Sequence, residues 1–417
     1  MSFATIYFIL ALITATGTLC ALIKARQVYL LALPYFMLAW LTGELALLSL
    51  FLQLALTAVL AVAGVMEDPR AQCGLAIFAL SWIGLAYLHL QAMDTDGYIR
   101  SALRRELGVN YRLDIPINRQ RALNDGVRST SWLKPFRFER EGVRKHSNIS
   151  YGEAGVRNLL DIYQPVIERE RPFPVLLQVH GGAWIVGNKA EQAKPLMYHM
   201  AQRGWICVSI NYRLSPAAKF PAHIIDVKQA ISWIKDNIAD YGGDPEYIAI
   251  TGGSAGGHLS ALAALTPNEA EYQPGFEDSD TTVQAAVPFY GVYDFLDRNN
   301  VRPAMPLEDF LGKKVMPCSS YADRELWDRA SPIARIGADA PPFFVIQGTH
   351  DTLVWAEEAR VFVAALQNQS QQKVVYVELP GAQHAFEMFH SVRTDHTVNG
   401  VADFLEWTHG QWLVGRA

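Results

Sequence analysis

The chain has 417 residues, 50% of them hydrophobic, and a formal net charge of −5. That length accommodates an accessory region beside one large domain, and the near-balanced charge excludes a basic nucleic-acid-binding protein. Cys20, Cys73, Cys207 and Cys318 are widely scattered, with no CxxC or HExxH spacing, which argues against both a disulfide framework and a metal site.

The apolar excess lies at the front. Phe3 to Ile23 carries no charge, and Leu45 to Val65 and Gly74 to Ala92 are of similar length. About 20 apolar residues cross the hydrocarbon core of a bilayer, so three spans are expected. Between the first two lies YLLALPYFMLAW (29–40), containing Pro34 and followed by Thr42-Gly43-Glu44. It reads as a half-span or interfacial segment, because two full spans would leave almost no loop. A hydrogen bond at a helix end suits Glu44 better than an ion path. The first segment lacks the basic start of a signal peptide. Lys24 and Arg26 follow the first span, and Arg100, Arg104 and Arg105 follow the third. The positive-inside rule then sets the N-terminus outside and the remainder of the chain in the cytoplasm.

Residues 1–93 are thus expected to be an all-α transmembrane anchor and 94–145 a basic connector. Within the connector Tyr98, Ile99, Ala102, Leu103 and Leu107 recur at helical spacing. That helix suits either the anionic inner leaflet or a packed position on the following domain.

From residue 146 to 417 the pattern is that of an α/β domain. Strand-length apolar runs occur at PVLLQVH (174–180), WICVSINY (205–212), YIAITG (247–252), VQAAVPFYG (283–291), PFFVIQG (342–348) and KVVYVELPG (373–381). Helical segments separate most of them. The clearest places Ile224, Val227, Ile231, Ile234 and Ile238 on one face and ends at Gly242-Gly243. Continuous apolar strands alternating with helices predict a mostly parallel sheet covered on both faces, with antiparallel edge strands around NLLDIYQP. Residues 292–335 interrupt the alternation as an insertion, either a lid or a surface excursion.

TGGSAGG, Thr251 to Gly257, follows a strand and precedes the helix-prone HLSALAALT. Gly252 to Gly256 matches G-x-S-x-G, a tight turn that holds Ser254 outward. No Lys-Ser/Thr follows as a P-loop requires. A serine hydroxyl needs a base, and a base of this kind needs an acid to orient it. His384 follows the last strand and Asp351 the strand before it, so Ser254, Asp351 and His384 stand in the chain order of an α/β-hydrolase. Asp294 is the main rival acid, whereas Asp240 and Asp244 sit at helix ends and turns; His350, His390, His396 and His409 suit packing or surface roles. HGGAW, His180 to Trp184, follows the strand PVLLQV. Its Gly181, Gly182 and Ala183, together with Ala255, are candidates for an oxyanion hole, the amides of Gly182, Ala183 and Ala255 above all. Trp184, Phe386 and Phe389 are candidate pocket walls, although aromatic residues near a core more often simply pack. The acidic loop 271–282 lacks the ligand spacing of a calcium site.

HGGAWIVG, NYRLSP, DYGGDP, GGSAGG, GTHD and HAF together resemble the α/β-hydrolase esterases of the hormone-sensitive-lipase-like (family IV) group, over residues 150 to 417. The resemblance implies a serine carboxylester hydrolase working through an acyl-enzyme, with a small-molecule or lipid ester as substrate and no cofactor. HGGAW in place of HGGG is similar to arylformamidases and to membrane-anchored prenylcysteine methylesterases. Amidase, acyltransfer and lipidated-substrate methylesterase activities therefore stand as alternatives. A catalytically idle hydrolase fold is disfavoured, because such a module needs neither a triad nor an oxyanion loop. Transport by the anchor is disfavoured too, since Glu44 is its only acid in the buried range.

Overall fold

The structure, a computed structural model, describes residues 1–25, 32–120, 131–167, 171–302 and 307–416. Arg26, the start of the expected half-span (29–31), residues 121–130 of the connector and 303–306 of the insertion lie outside the described residues.

Among the described residues the long leading helices are α1 (Phe3–Leu22), α2 (Ala32–Glu44), α3 (Ala46–Val62), α4 (Pro69–Met93) and α5 (Thr95–Leu107). Local chemistry sets their starts. Ser2 accepts the Thr5 N–H at 3.2 Å at the head of α1, and Asp68 accepts the Arg70 N–H at 2.8 Å ahead of Pro69 at the head of α4. Helices α1 and α4 are long and apolar enough to cross a membrane; α2 and α3 meet at an 83° bend and add a third span if taken as one. The helices share hydroxyl contacts, Thr18 to Ser81 at 2.8 Å and Tyr7 to Thr57 at 2.9 Å. Ile13, Leu19, Leu80 and Ile83 face outward and exposed.

The following domain is built on an eight-stranded sheet. Its strands are β1 (Val143–Ser150), β2 (Leu159–Pro165), β3 (Phe173–Val179), β4 (Ile206–Ile210), β5 (Gly243–Gly253), β6 (Ala285–Phe289), β7 (Phe343–Gly348) and β8 (Val374–Leu379). They run in the order β1-β2-β4-β3-β5-β6-β7-β8. The pairs β1–β2 and β2–β4 are antiparallel and the rest parallel, so the sheet is mostly parallel with an antiparallel edge. β1 starts at Val143, ahead of the expected domain boundary at 146. Every residue of β3 is buried, which is why its run is continuously apolar. Val175, Leu177 and Val179 enter the core on one face of the sheet and Leu176 the core on the other.

The covering helices are α6 (Lys194–Gln202), α7 (Ala222–Asn237), α8 (Ala255–Leu265), α9 (Ala356–Gln369) and α10 (Val392–Val414). In α7 and the turn after it, Ile224, Val227, Ile231, Ile234 and Ile238 are fully buried, and Gly242 ends the segment at φ 79°. Of the two settings expected for α5, the structure has the packed one. Ile99, Ala102, Leu103 and Leu107 join the core cluster of Val398, Val401 and Leu405 on α10. The residues after α5 are tied to α10 as well: Tyr111 donates to Asp403 at 2.6 Å, and buried Arg119 pairs with Glu406 at 2.7 Å. In the insertion, Leu311, Val315, Met316 and Trp327 are buried in the main core, so this part is integral packing and not a surface excursion.

The leading helices are fastened onto the sheet domain by polar contacts. Glu44, at the bend between α2 and α3, is ion-paired with Arg393 of α10 and accepts the Ser391 hydroxyl at 2.7 Å. Its partner is thus on the other domain. The His350 imidazole meets the Ala21 carbonyl at 3.2 Å, and Lys24 pairs with Glu357 at 3.7 Å.

Candidate active site

β5 ends at Gly253 and α8 begins at Ala255, leaving Ser254 alone between them at φ 58°, ψ −121°. A residue with a side chain rarely adopts that conformation, and it persists only where its surroundings enforce it. Here the Ser254 N–H donates to Phe289 O at 3.0 Å, and Ser254 O accepts the His258 N–H at 2.9 Å. The flanking glycines are steric necessities. A Cβ on Gly256 would come within 2.0 Å of Val179 O, so β3 and the start of α8 meet here only because Gly256 lacks one.

Asp351 follows β7 and His384 follows β8, and the two side chains meet at Asp351 Oδ2–His384 Nδ1, 2.8 Å. The other carboxylate oxygen accepts the N–H groups of Leu353 at 2.9 Å and Val354 at 2.8 Å, and Gln347 Nε2 donates to Oδ2 at 3.2 Å. An ionised carboxylate only accepts, so Nδ1 of His384 carries the proton and Nε2 presents a lone pair. The Gln383 side-chain oxygen accepts from the backbone of both Thr352, at 2.8 Å, and His384, at 2.9 Å, locking the two loops together. Among the described residues, Ser254 Oγ has no hydrogen-bonded partner. Such contacts commonly tighten only when substrate is bound.

The HGGAW turn lies against the serine: a Cβ built on Gly181 would sit 3.2 Å from Ser254 Cβ. Gly182, Ala183 and Trp184 have φ of 117°, 51° and 60°, which swings successive amides out of any strand or helix pattern. The Gly181 N–H is occupied, donating to Gln192 Oε1 at 2.7 Å. The N–H groups of Gly182, Ala183 and Ala255 have no protein acceptor among the described residues. Of the four candidates, Gly181 thus has its amide occupied, and a Cβ there would come within 2.6 Å of Gly253 O.

The aromatic candidates separate. Trp184 is buried, donates from its indole to His258 Nδ1 at 3.2 Å and stands edge-on to Phe295, in the core beneath the turn. Phe386 is fully buried against Phe289 and Tyr290 on the opposite side of the sheet. Phe389 instead faces the leading helices, 5.2 Å from Trp40. The rival acid Asp294 is engaged elsewhere: it accepts from the backbone of Leu296 and Arg298 and pairs with the Arg298 side chain at 3.1 Å. His390 pairs with Asp395 at 2.8 Å, and His409 packs on Tyr247. Burial lowers His180 to about 4, holding it neutral against Tyr212 and the Gly181 carbonyl.

Three neighbours of His384 were not singled out from the sequence. The Tyr290 ring lies 4.4 Å from the imidazole, and its hydroxyl donates to the Glu387 carboxylate. Glu387 is buried, and that burial pushes its carboxyl up to about 6. The third is Phe36 of α2, edge-on to the imidazole at 6.2 Å. Glu387 in HAFEMF follows His384 by three positions, yet no spacing rule joins it to Tyr290 or Phe36.

The BD-FAE family matches residues 160–366, which span β2 to α9 and include Ser254 and Asp351. The chain is 48% identical over 331 residues to the probable carboxylic ester hydrolase LipM of Mycobacterium tuberculosis, covering 79% of this chain and 76% of that one. The chain belongs to this family of serine carboxylester hydrolases. The esterase is also 50% identical over 272 residues to esterase LipQ of the same organism, across 65% of this chain and 64% of LipQ. Among solved structures it is similar to a truncated carbohydrate esterase from gut microbiota, with a TM-score of 0.56 and 26% identity over 66% of this chain and 100% of that one.

Proposed function

We propose that the esterase is membrane-seated through α1 to α4, with its sheet domain on the cytoplasmic face, and that Ser254, His384 and Asp351 carry out the hydrolysis. His384 Nε2 takes the Ser254 proton as Oγ attacks the ester carbonyl. The resulting oxyanion is met by the N–H groups of Gly182, Ala183 and Ala255. The C–O bond to the alcohol breaks, and the alcohol leaves with the proton held on Nε2. Water then adds to the acyl-enzyme by the same relay, releasing the acid and restoring Ser254.

One observation carries this reading: the Asp351–His384 contact at 2.8 Å, in which two further backbone donors fix the carboxylate so that Nε2 is left as the base. Detergent-solubilised protein should label at Ser254 with a fluorophosphonate and hydrolyse p-nitrophenyl butyrate. Ser254→Ala should do neither, with kcat down by about 10⁶. Wild-type protein that neither labels nor turns over any ester of a short- to long-chain panel would refute the assignment. The orientation is tested by fusing a periplasm-dependent phosphatase to the C-terminus, which should remain inactive.

A further inference from the structure

The second leading helix reaches the proposed base. The Phe36 ring stands edge-on to the His384 imidazole, with centroids 6.2 Å apart and planes at 74°. One turn on, Trp40 stacks on Phe36 at 5.5 Å and meets Phe389 at 5.2 Å. Phe389 in turn touches Phe136, whose ring is largely exposed, at 5.3 Å. A row of aromatic rings thus runs from beside the reacting pair to the surface.

Helix α2 has two apolar faces. Phe36 and Trp40 are buried in one cluster with Phe389 of the sheet domain, while Leu33, Met37, Leu38 and Leu41 are exposed. The buried ion pair of Glu44 with Arg393 pins the end of the helix in this position. On the membrane-seated reading, the outer face of α2 meets lipid and its inner face meets His384. A pocket wall built from the anchor, and not from polar loops, favours a substrate that arrives from the bilayer.

A second, independent observation points to a ligand. The indole Nε1 of Trp40, a residue only 9% exposed, is buried and has no hydrogen-bond partner among the described residues. Buried donors in folded proteins are almost always paired, and an unpaired one is costly. An acceptor oxygen on a bound molecule beside Phe36 would satisfy it. An apolar chain and an extra oxygen, next to a reacting ester, describe an acylglycerol-type lipid ester.

We propose that α2 forms the membrane-side wall of the substrate site, and that the esterase acts on lipid esters whose acyl chain enters from the bilayer along Phe36 and Trp40. Phe36 packs on the chain, and the Trp40 indole donates to a second oxygen of the lipid. This rests on the assignment of Ser254 and His384 as the reacting pair and of the leading helices as the membrane seat.

The test uses the full chain in phospholipid nanodiscs, with p-nitrophenyl butyrate, p-nitrophenyl laurate and 1-monolauroylglycerol as probes. Phe36→Ala should lower the laurate-to-butyrate ratio of kcat/KM about tenfold, equivalent to losing the contact of two methylenes. Trp40→Phe keeps a ring but removes the donor. It should lower kcat/KM for monolauroylglycerol by roughly three- to tenfold relative to p-nitrophenyl laurate. Fluorophosphonate labelling reports whether each variant keeps a formed site, and Phe36→Leu supplies the ratio if the alanine variant does not fold. Ratios equal to those of wild type, or a uniform fall on all three esters, overturn the wall. So does wild-type protein that labels and cleaves butyrate but neither lauroyl ester, and in that case the Ser254 assignment stands. Wild-type protein that never labels overturns the assignment itself.

Discussion

Replacing Asp351 by Asn tests the arrangement at its most constrained point. The Asp351 oxygen facing away from His384 receives two backbone N–H groups, from Leu353 at 2.9 Å and Val354 at 2.8 Å. An asparagine must put its carbonyl oxygen there, since an NH₂ group would oppose both donors. Its NH₂ then takes the position 2.8 Å from His384 Nδ1, where it donates. Nδ1 must now accept, so the proton moves to Nε2, and the imidazole can no longer take a proton from Ser254. In a triad of this kind the wrong tautomer costs about 10⁴ in kcat, or roughly 5.5 kcal/mol of barrier. The shape of the side chain is unchanged, so the fold should persist. Steady-state hydrolysis of p-nitrophenyl butyrate by Asp351→Asn, beside thermal unfolding in the same detergent, gives both quantities. Asp294→Asn is the control, because Asp294 is spent on Arg298 and local backbone, and it should stay within tenfold of wild type. Activity of Asp351→Asn within tenfold of wild type, or a larger loss in Asp294→Asn, would refute the reasoning.

Arg393→Met leaves Glu44 buried without its cation and should destabilise the protein by about 3–5 kcal/mol, read from unfolding in detergent; adding Glu44→Met should restore most of the loss. Glu387 has its folded-state pKa raised by burial from 4.5 to about 6, so the fold favours its protonated form. The stability this contributes is complete below the ordinary carboxyl value and is lost as pH rises through about 6, an effect of about 2 kcal/mol. Glu387→Gln should remove that part of the slope of stability against pH between about 4.5 and 6, and an unchanged slope would count against it. Gly256→Ala would drive a Cβ to 2.0 Å from Val179 O, a rigid backbone atom, so the variant should lose fluorophosphonate labelling together with its folding transition.

Much of the site was legible because each element is written locally. A strand, a tight turn and a helix start within eight residues of Ser254 announce the serine, and Asp351 and His384 each follow a strand-length apolar run. In a parallel sheet the C-terminal ends of the strands converge on one edge, so chain order alone brings these residues near each other. The amphipathic isoleucines of α7 were legible for the same reason, since a helix buries whatever its 3.6-residue period aligns. The setting of α5 was not. Its apolar stripe fits a leaflet as well as it fits α10, and only the apposed face of α10 decides between them.

By itself, then, the sequence determined the alternating sheet, the chain order of the proposed serine, acid and base, the glycine-rich turn around Ser254 and the long apolar helices at the front, because each follows from local period or local sterics. The tertiary structure decided which amide of HGGAW is occupied by Gln192, that Trp184 and Phe386 are core residues, and that Tyr290, Glu387 and Phe36 surround His384. It also joined Glu44 to Arg393, 349 positions away. No periodicity encodes such contacts. They arise where two separately specified surfaces, a bent apolar helix and the edge of the sheet domain, are pressed together, and their chemistry exists only once both are in place.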